Sequence, residues 1–69
     1  MVRYFIEVPS ETGPEWYYAR VESDVWSLMT NMEQATSWEP AQMAADCIER
    51  APIQRIRSTA KVLEYGLWP

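Results

Sequence analysis

Apolar and polar residues alternate along the first part of the chain, as they do in a strand with one buried side. From Val2 to Val8 the even-numbered residues are apolar or aromatic and point one way, and the odd-numbered residues point the other. Residues 9–14 are rich in proline, glycine and small polar side chains, which predicts a hairpin loop. A second strand follows from Glu15 to Val21, favoured by three consecutive aromatic residues.

Between Asp24 and Ala51 the spacing of apolar residues changes to that of helices. Ser23 or Asp24 is a suitable N-cap, and an i, i+3, i+4, i+7 stripe runs from Val25 to Thr36. The stretch around Trp38 interrupts this helix. Pro40 suits the first turn of a second helix, whose buried stripe includes Cys47 and which ends at Ala51. The pattern therefore predicts a helical hairpin.

Alternation returns from Ile53 to Tyr65 and predicts a long third strand. It pairs either antiparallel to the second strand or parallel to the first, and the tail Leu67–Pro69 is either docked or free. The expected fold is a single α+β domain over residues 1–69, in the order β-β-α-α-β. It has a three-stranded, largely antiparallel sheet with the helical hairpin packed on one face.

The length and composition limit what can hold such a domain together. A chain of 69 residues buries a small core, and a single cysteine cannot form an internal disulfide. The absence of histidine argues against zinc, and we expect neither a metal nor another cofactor. No apolar run reaches the ~20 residues of a membrane span, so we expect a soluble, cytoplasmic protein.

Candidate catalytic groups are few, and each has a simpler explanation. Asp46 and Glu49 lie on the outer face of the predicted second helix, where water keeps carboxylates in their ordinary ionised state. Cys47 lies in the buried stripe, where a thiol packs as a small apolar group. With only two glycines, the chain has no phosphate-binding loop. We therefore expect a binding protein and not an enzyme.

One candidate binding surface is acidic and belongs to the predicted helical block, at its ends and on the outer face of its second helix. The chain contains no basic residue from Glu22 to Glu49. Its six acidic residues there are Glu22, Asp24, Glu33, Glu39, Asp46 and Glu49. Such a surface attracts a basic partner and speeds encounter with it. The carboxylates either imitate the phosphates of a nucleic acid or serve only solubility.

The other candidate surface is the outer face of the predicted sheet. It combines basic and aromatic residues, namely Arg3, Phe5, Trp16, Tyr18, Arg20, Arg55, Arg57 and Lys61. Basic, aromatic sheets stack the bases of single-stranded nucleic acids, and the same residue types dominate protein interfaces. The face therefore binds single strands, forms a dimer, or covers its own rings with arginine side chains.

In overall plan the chain resembles small phage-encoded inhibitors, including anti-CRISPR proteins. The resemblance rests on a short, acidic, histidine-free domain and on the acidic set listed above, without a shared motif. It implies stoichiometric binding to a basic surface of a defence complex, in place of target DNA. We expect a monomer or homodimer whose partner is a basic protein or nucleoprotein complex and not a membrane, with direct binding to nucleic acid as the less favoured alternative. The basic, aromatic sheet face departs from that plan, because a pure DNA mimic does not require it.

Overall fold

A computed structural model describes residues 2–66, which form four strands, two α-helices and one 3-10 helix. The elements are β1 (Val2–Pro9), β2 (Trp16–Glu22), β3 (Val25–Met29), the 3-10 helix (Met32–Gln34), α1 (Ala41–Glu49), α2 (Gln54–Thr59) and β4 (Lys61–Gly66). The α+β class is confirmed, whereas the expected three strands and the order β-β-α-α-β are wrong. The tail Leu67–Pro69 lies outside the described residues.

The sheet is antiparallel throughout, with the strand order β3-β2-β1-β4. β4 pairs antiparallel with β1, and Phe5 lies opposite Leu63. Both pairings considered for the last strand are therefore wrong. The reason is the connection, since α1 and α2 carry the chain across one face of the sheet to the free edge of β1.

The helix expected from Asp24 to Thr36 is absent from the described fold, and β3 occupies its first half. Ser23 and Asp24 have φ angles of 49° and 66°, and they form a two-residue turn that joins β2 to β3. A turn with positive φ at both central residues matches the twist of a hairpin. The apolar residues that follow fit a strand as well as a helix, because both Val25 and Trp26 favour β structure.

The second half of the domain also differs from the expectation in one place. Residues 54–59, predicted as part of a long strand, form α2, and the strand begins only at Lys61. Ile56 is 4% exposed and anchors this short helix in the core. The hydroxyl groups of Ser58 and Thr59, in the last turn of α2, both donate to the carbonyl of Arg55 in its first turn.

The core lies between the helices and the inner face of the sheet, which is the face that carries Ile6 and Val8. Its buried residues are Ile6, Val8, Ala19, Ala44, Cys47, Ile48, Ala51 and Ile56. The buried face of the first strand and the stripe of the second predicted helix are thus confirmed. Within residues 2–66, no helix is both long and apolar enough to cross a membrane.

A short segment, from Thr36 to Trp38, lies between β1 and β2 where these two strands separate. The Trp38 amide donates to the Tyr4 carbonyl (2.8 Å), and the Tyr4 amide donates to the Trp38 carbonyl (3.0 Å). On the other side, the Thr36 amide donates to the Ala19 carbonyl, and its hydroxyl accepts from the Val21 amide (2.9 Å). The segment therefore fastens the β2–β3 hairpin to the rest of the sheet.

Candidate functional site

The predicted acidic set does not lie on one helical block. Glu22 belongs to β2 and Glu39 lies beside β1, and each is paired with an arginine. The Arg20–Glu22 pair measures 2.6 Å between Nη2 and Oε1, and the Arg3–Glu39 pair measures 2.9 Å between Nη1 and Oε2. Both carboxylates therefore already have a cation within the chain.

The other four acidic residues have no cationic partner within residues 2–66. They are Asp24 in the hairpin turn, Glu33 in the 3-10 helix, and Asp46 and Glu49 on α1. Asp46 accepts a hydrogen bond from Gln42 Nε2 (2.8 Å), which leaves its charge uncompensated. Glu49 lies in the last turn of α1, where the helix dipole disfavours a negative charge. These four residues form what we call the acidic group.

The hairpin turn and α1 are close enough to interact electrostatically. Burial raises the pKa of the Cys47 thiol, the nearby Arg50 lowers it, and the negative charge of Asp24 raises it further. The thiol is therefore held in its neutral form. Within the acidic group, Asp46 and Glu49 lie three residues apart on α1 and add to one negative field on that helix.

The outer face of the sheet, opposite the helices, carries equal numbers of positive and negative side chains. By register it carries three cations and three carboxylates, namely Arg3, Arg20, Lys61, Glu7, Glu22 and Glu39. The Lys61 ammonium lies 5.7 Å from the centroid of the Trp16 ring, which is a cation–π distance. Phe5 is 7% exposed and meets the Tyr65 ring edge to face at 6.2 Å. The aromatic side chains are thus partly covered within one copy of the chain.

Two of the five cations predicted for that face lie elsewhere. Arg55 and Arg57 are on α2, because residues 54–59 form a helix and not a strand. Arg55 donates to the Pro9 carbonyl (2.5 Å) and pairs with Glu11 (3.3 Å), and Arg57 donates to a carbonyl at the end of α1. Both residues hold α2 in place and do not contribute to a basic sheet.

The sequence interpretation missed the free edge of the sheet at β3. Val25 is 65% exposed and Leu28 is 41% exposed, and none of the five residues of β3 is charged. An open cavity of about 310 Å³ adjoins this strand on the outer face. Arg20, Glu22, Ser23, Val25 and Ser27 line it. The signal in the sequence is the β-branched and aromatic pair after Asp24, which favours a strand.

The register shows which backbone groups of β3 point away from the sheet. In a hairpin with a two-residue turn, the closing pair Glu22–Val25 is hydrogen-bonded, and the pairs then alternate along the ladder. Ser27 and Met29 therefore bond to β2, whereas the amides and carbonyls of Trp26 and Leu28 face outward. The backbone groups of Val21 and Ala19, their cross-strand partners, bond to Thr36 on the opposite side of β2, in agreement with this alternation.

No protein-family model, curated protein or solved structure matches this chain. Within residues 2–66, no group of three or more histidine, cysteine, aspartate or glutamate side chains is arranged to hold a metal ion. The features that distinguish the molecule are thus surfaces, namely the acidic group and the open edge of β3.

Proposed function

We propose that the protein is a non-catalytic binding protein that engages a basic partner through its acidic group. One observation carries this proposal. Of the ten Asp and Glu side chains, three are paired with arginines within the described residues, and the seven others include all four of the acidic group, which lie in a stretch of the chain that has no basic residue. Asp46 and Glu49, three residues apart on α1, repel each other, and a basic partner would remove that repulsion.

The partner class follows from the charge and the resemblance in plan. Proteins that handle nucleic acids typically present a basic surface. Such a surface can bind a group of carboxylates without a shaped pocket. The function we infer is that of a stoichiometric inhibitor of the phage-encoded, anti-CRISPR-like kind, which occupies such a surface in place of DNA phosphates. A net charge of −4 supports fast, salt-dependent association with it.

The alternative, a single-strand nucleic-acid binder using the outer sheet face, has less support. That face carries as many carboxylates as cations, and Arg55 and Arg57 are not part of it. Phosphate binding requires an excess of positive charge. The exposed part of Trp16 remains the feature that favours this alternative, since a base could stack on it.

The test is a comparison of two charge reversals that change the net charge equally. Asp46→Lys with Glu49→Lys alters the acidic group on α1, and Glu15→Lys with Glu64→Lys alters exposed carboxylates on a loop and on β4. The tagged variants are used to capture partners from cell lysate at low and high salt, after circular dichroism shows that each is folded. We expect a basic, nucleic-acid-handling protein to be lost only with the α1 variant.

Equal capture by both variants would show that the acidic group on α1 is not the binding surface. Capture of nucleic acid alone, removed by nuclease and by Trp16→Ala, would favour the sheet face instead. The first result would exclude the acidic group on α1 as the binding surface. The second would assign binding to the outer face of the sheet.

A further inference from the structure

The free edge of β3 offers backbone hydrogen-bonding groups and apolar side chains together. We propose that it binds an extended, basic segment of a partner protein, which adds to the sheet as a strand beside β3. This inference rests on the proposed function and specifies how the basic partner is held. The acidic group supplies attraction, and the strand edge supplies directional bonds.

The backbone geometry suits such a segment. Trp26 and Leu28 each present one amide and one carbonyl outward, spaced by two residues, or about 6.8 Å along an extended chain. An added strand has groups with the same period and can satisfy all of them. Its alternate side chains would lie beside Val25 and Ser27 on the outer face, where the open cavity is located.

The edge also lacks the features that proteins use to prevent strand addition. Edge strands are commonly protected by charged residues, prolines or bulges. β4, the opposite edge, carries Lys61 and Glu64, whereas residues 25–29 contain neither a charge nor a proline. Val25 and Leu28 are also both exposed, so β3 is the edge strand to which a partner strand can be added.

Charge complementarity determines which strand would bind. Asp24, which has no cationic partner within residues 2–66, lies at one end of β3, and Glu33 follows the other end after a short loop. A segment with an apolar, β-prone centre and lysine or arginine at both ends therefore fits. A second copy of this chain fits less well. An antiparallel β3–β3 pair centred on Ser27 would bring the acids at each end toward those of the other copy, and opposed like charges destabilise a sheet.

Amide hydrogen exchange, followed by NMR, tests the inference at single residues. The probe is a capped synthetic peptide, KKVTVTVKK, with the acidic peptide EEVTVTVEE as its control. At a peptide concentration of about 100 Kd, we expect exchange of the Trp26 and Leu28 amides to slow by about 100-fold. The Ser27 and Met29 amides, already bonded to β2, should change little by comparison. The acidic peptide should not slow either pair.

Two changes separate strand addition from general charge attraction. Leu28→Pro removes an outward amide that β2 does not use, whereas Leu28→Ala keeps it. We expect the proline variant to lose peptide binding and the alanine variant to retain it. If Leu28→Pro does not fold, the basic peptide N-methylated at alternate residues is used with the parent protein. It keeps the charge, lacks the amides needed for pairing, and should not bind.

Several outcomes would overturn the inference. They are no binding of the basic peptide, binding without protection at Trp26 and Leu28, equal binding of the N-methylated peptide, and self-association that protects the same amides without peptide. The result for the acidic group is independent of these. If the α1 charge reversal loses the captured partner and Leu28→Pro retains it, the proposed function stands and the strand addition is wrong.

Discussion

The two halves of the sheet differ in how much of their apolar surface is buried. The β1–β4 pair lies beneath α1 and α2, and Ile6 and Val8 on β1 are fully buried. The β2–β3 hairpin ends in an edge on which Val25 is 65% and Leu28 is 41% exposed. The first half holds most of the apolar contacts that stabilise a small domain, and the second half presents apolar surface and free backbone groups to solvent.

If the proposed binding holds, this contrast places stability in one half of the sheet and binding in the other. A domain of this size has little stability to lose, and an exposed apolar edge adds almost nothing to it. Thr36 and the inner-face residues of the hairpin hold it against the rest of the sheet. Its outer edge has no strand paired with it within residues 2–66. Changes in the β1–β4 half should therefore affect folding, and changes that remove the outward backbone groups of the β3 edge should affect binding.

The largest expected effect comes from truncating the core of the buried half. Ile6→Ala should lower the free energy of unfolding by about 2–5 kcal/mol, because it leaves a cavity under α1. Leu28→Ala removes the same kind of side chain from the exposed half and should cost about 1 kcal/mol. Urea denaturation measures both values. Equal losses would show that the hairpin contributes to the core as strongly as β1 does.

A smaller effect is expected at the connection between the halves. Thr36→Val removes the hydroxyl that accepts from the Val21 amide and donates to the Val21 carbonyl, and it keeps the shape of the side chain. The partly buried amide is then unsatisfied, which should cost about 1–3 kcal/mol. Thr36→Ser keeps the hydroxyl and serves as the control. If Thr36→Val is as stable as Thr36→Ser, this hydroxyl does not fasten the hairpin, and the two halves are joined by other contacts.

The contrast also explains which elements the sequence could predict. The alternation of β1 extends along a strand of 8 residues, and the apolar stripe of α1 extends along a helix of 9 residues. Both patterns are regular because one side of each element is buried. α2 has only one buried residue, Ile56, so its alternating arginines looked like a strand. Pairing between β1 and β4 joins distant parts of the chain, and no local pattern encodes it.

The β3 edge was missed for a related reason. An exposed strand has no single buried side, and five residues can satisfy a helical spacing as well as an alternating one. Ser23 and Asp24 are also residues that commonly begin helices, and here they form a turn. The same ambiguity places all six acidic residues on one predicted helical block, whereas Glu22 and Glu39 are paired with arginines on the outer sheet face.

The smallest expected effect bears directly on that turn. Asp24 has a φ of 66°, which costs a residue with a side chain about 1 kcal/mol and costs glycine almost nothing. Asp24→Gly should therefore raise the free energy of unfolding by up to about 1 kcal/mol. Ser27→Gly, in the extended part of β3, is the control and should lower it by about 0.5–1 kcal/mol. If Asp24 instead capped a helix, its loss should leave the protein no more stable than before. Urea denaturation of both variants distinguishes the two, and a destabilised Asp24→Gly protein would mean that this turn, and the strand edge after it, are not formed as described.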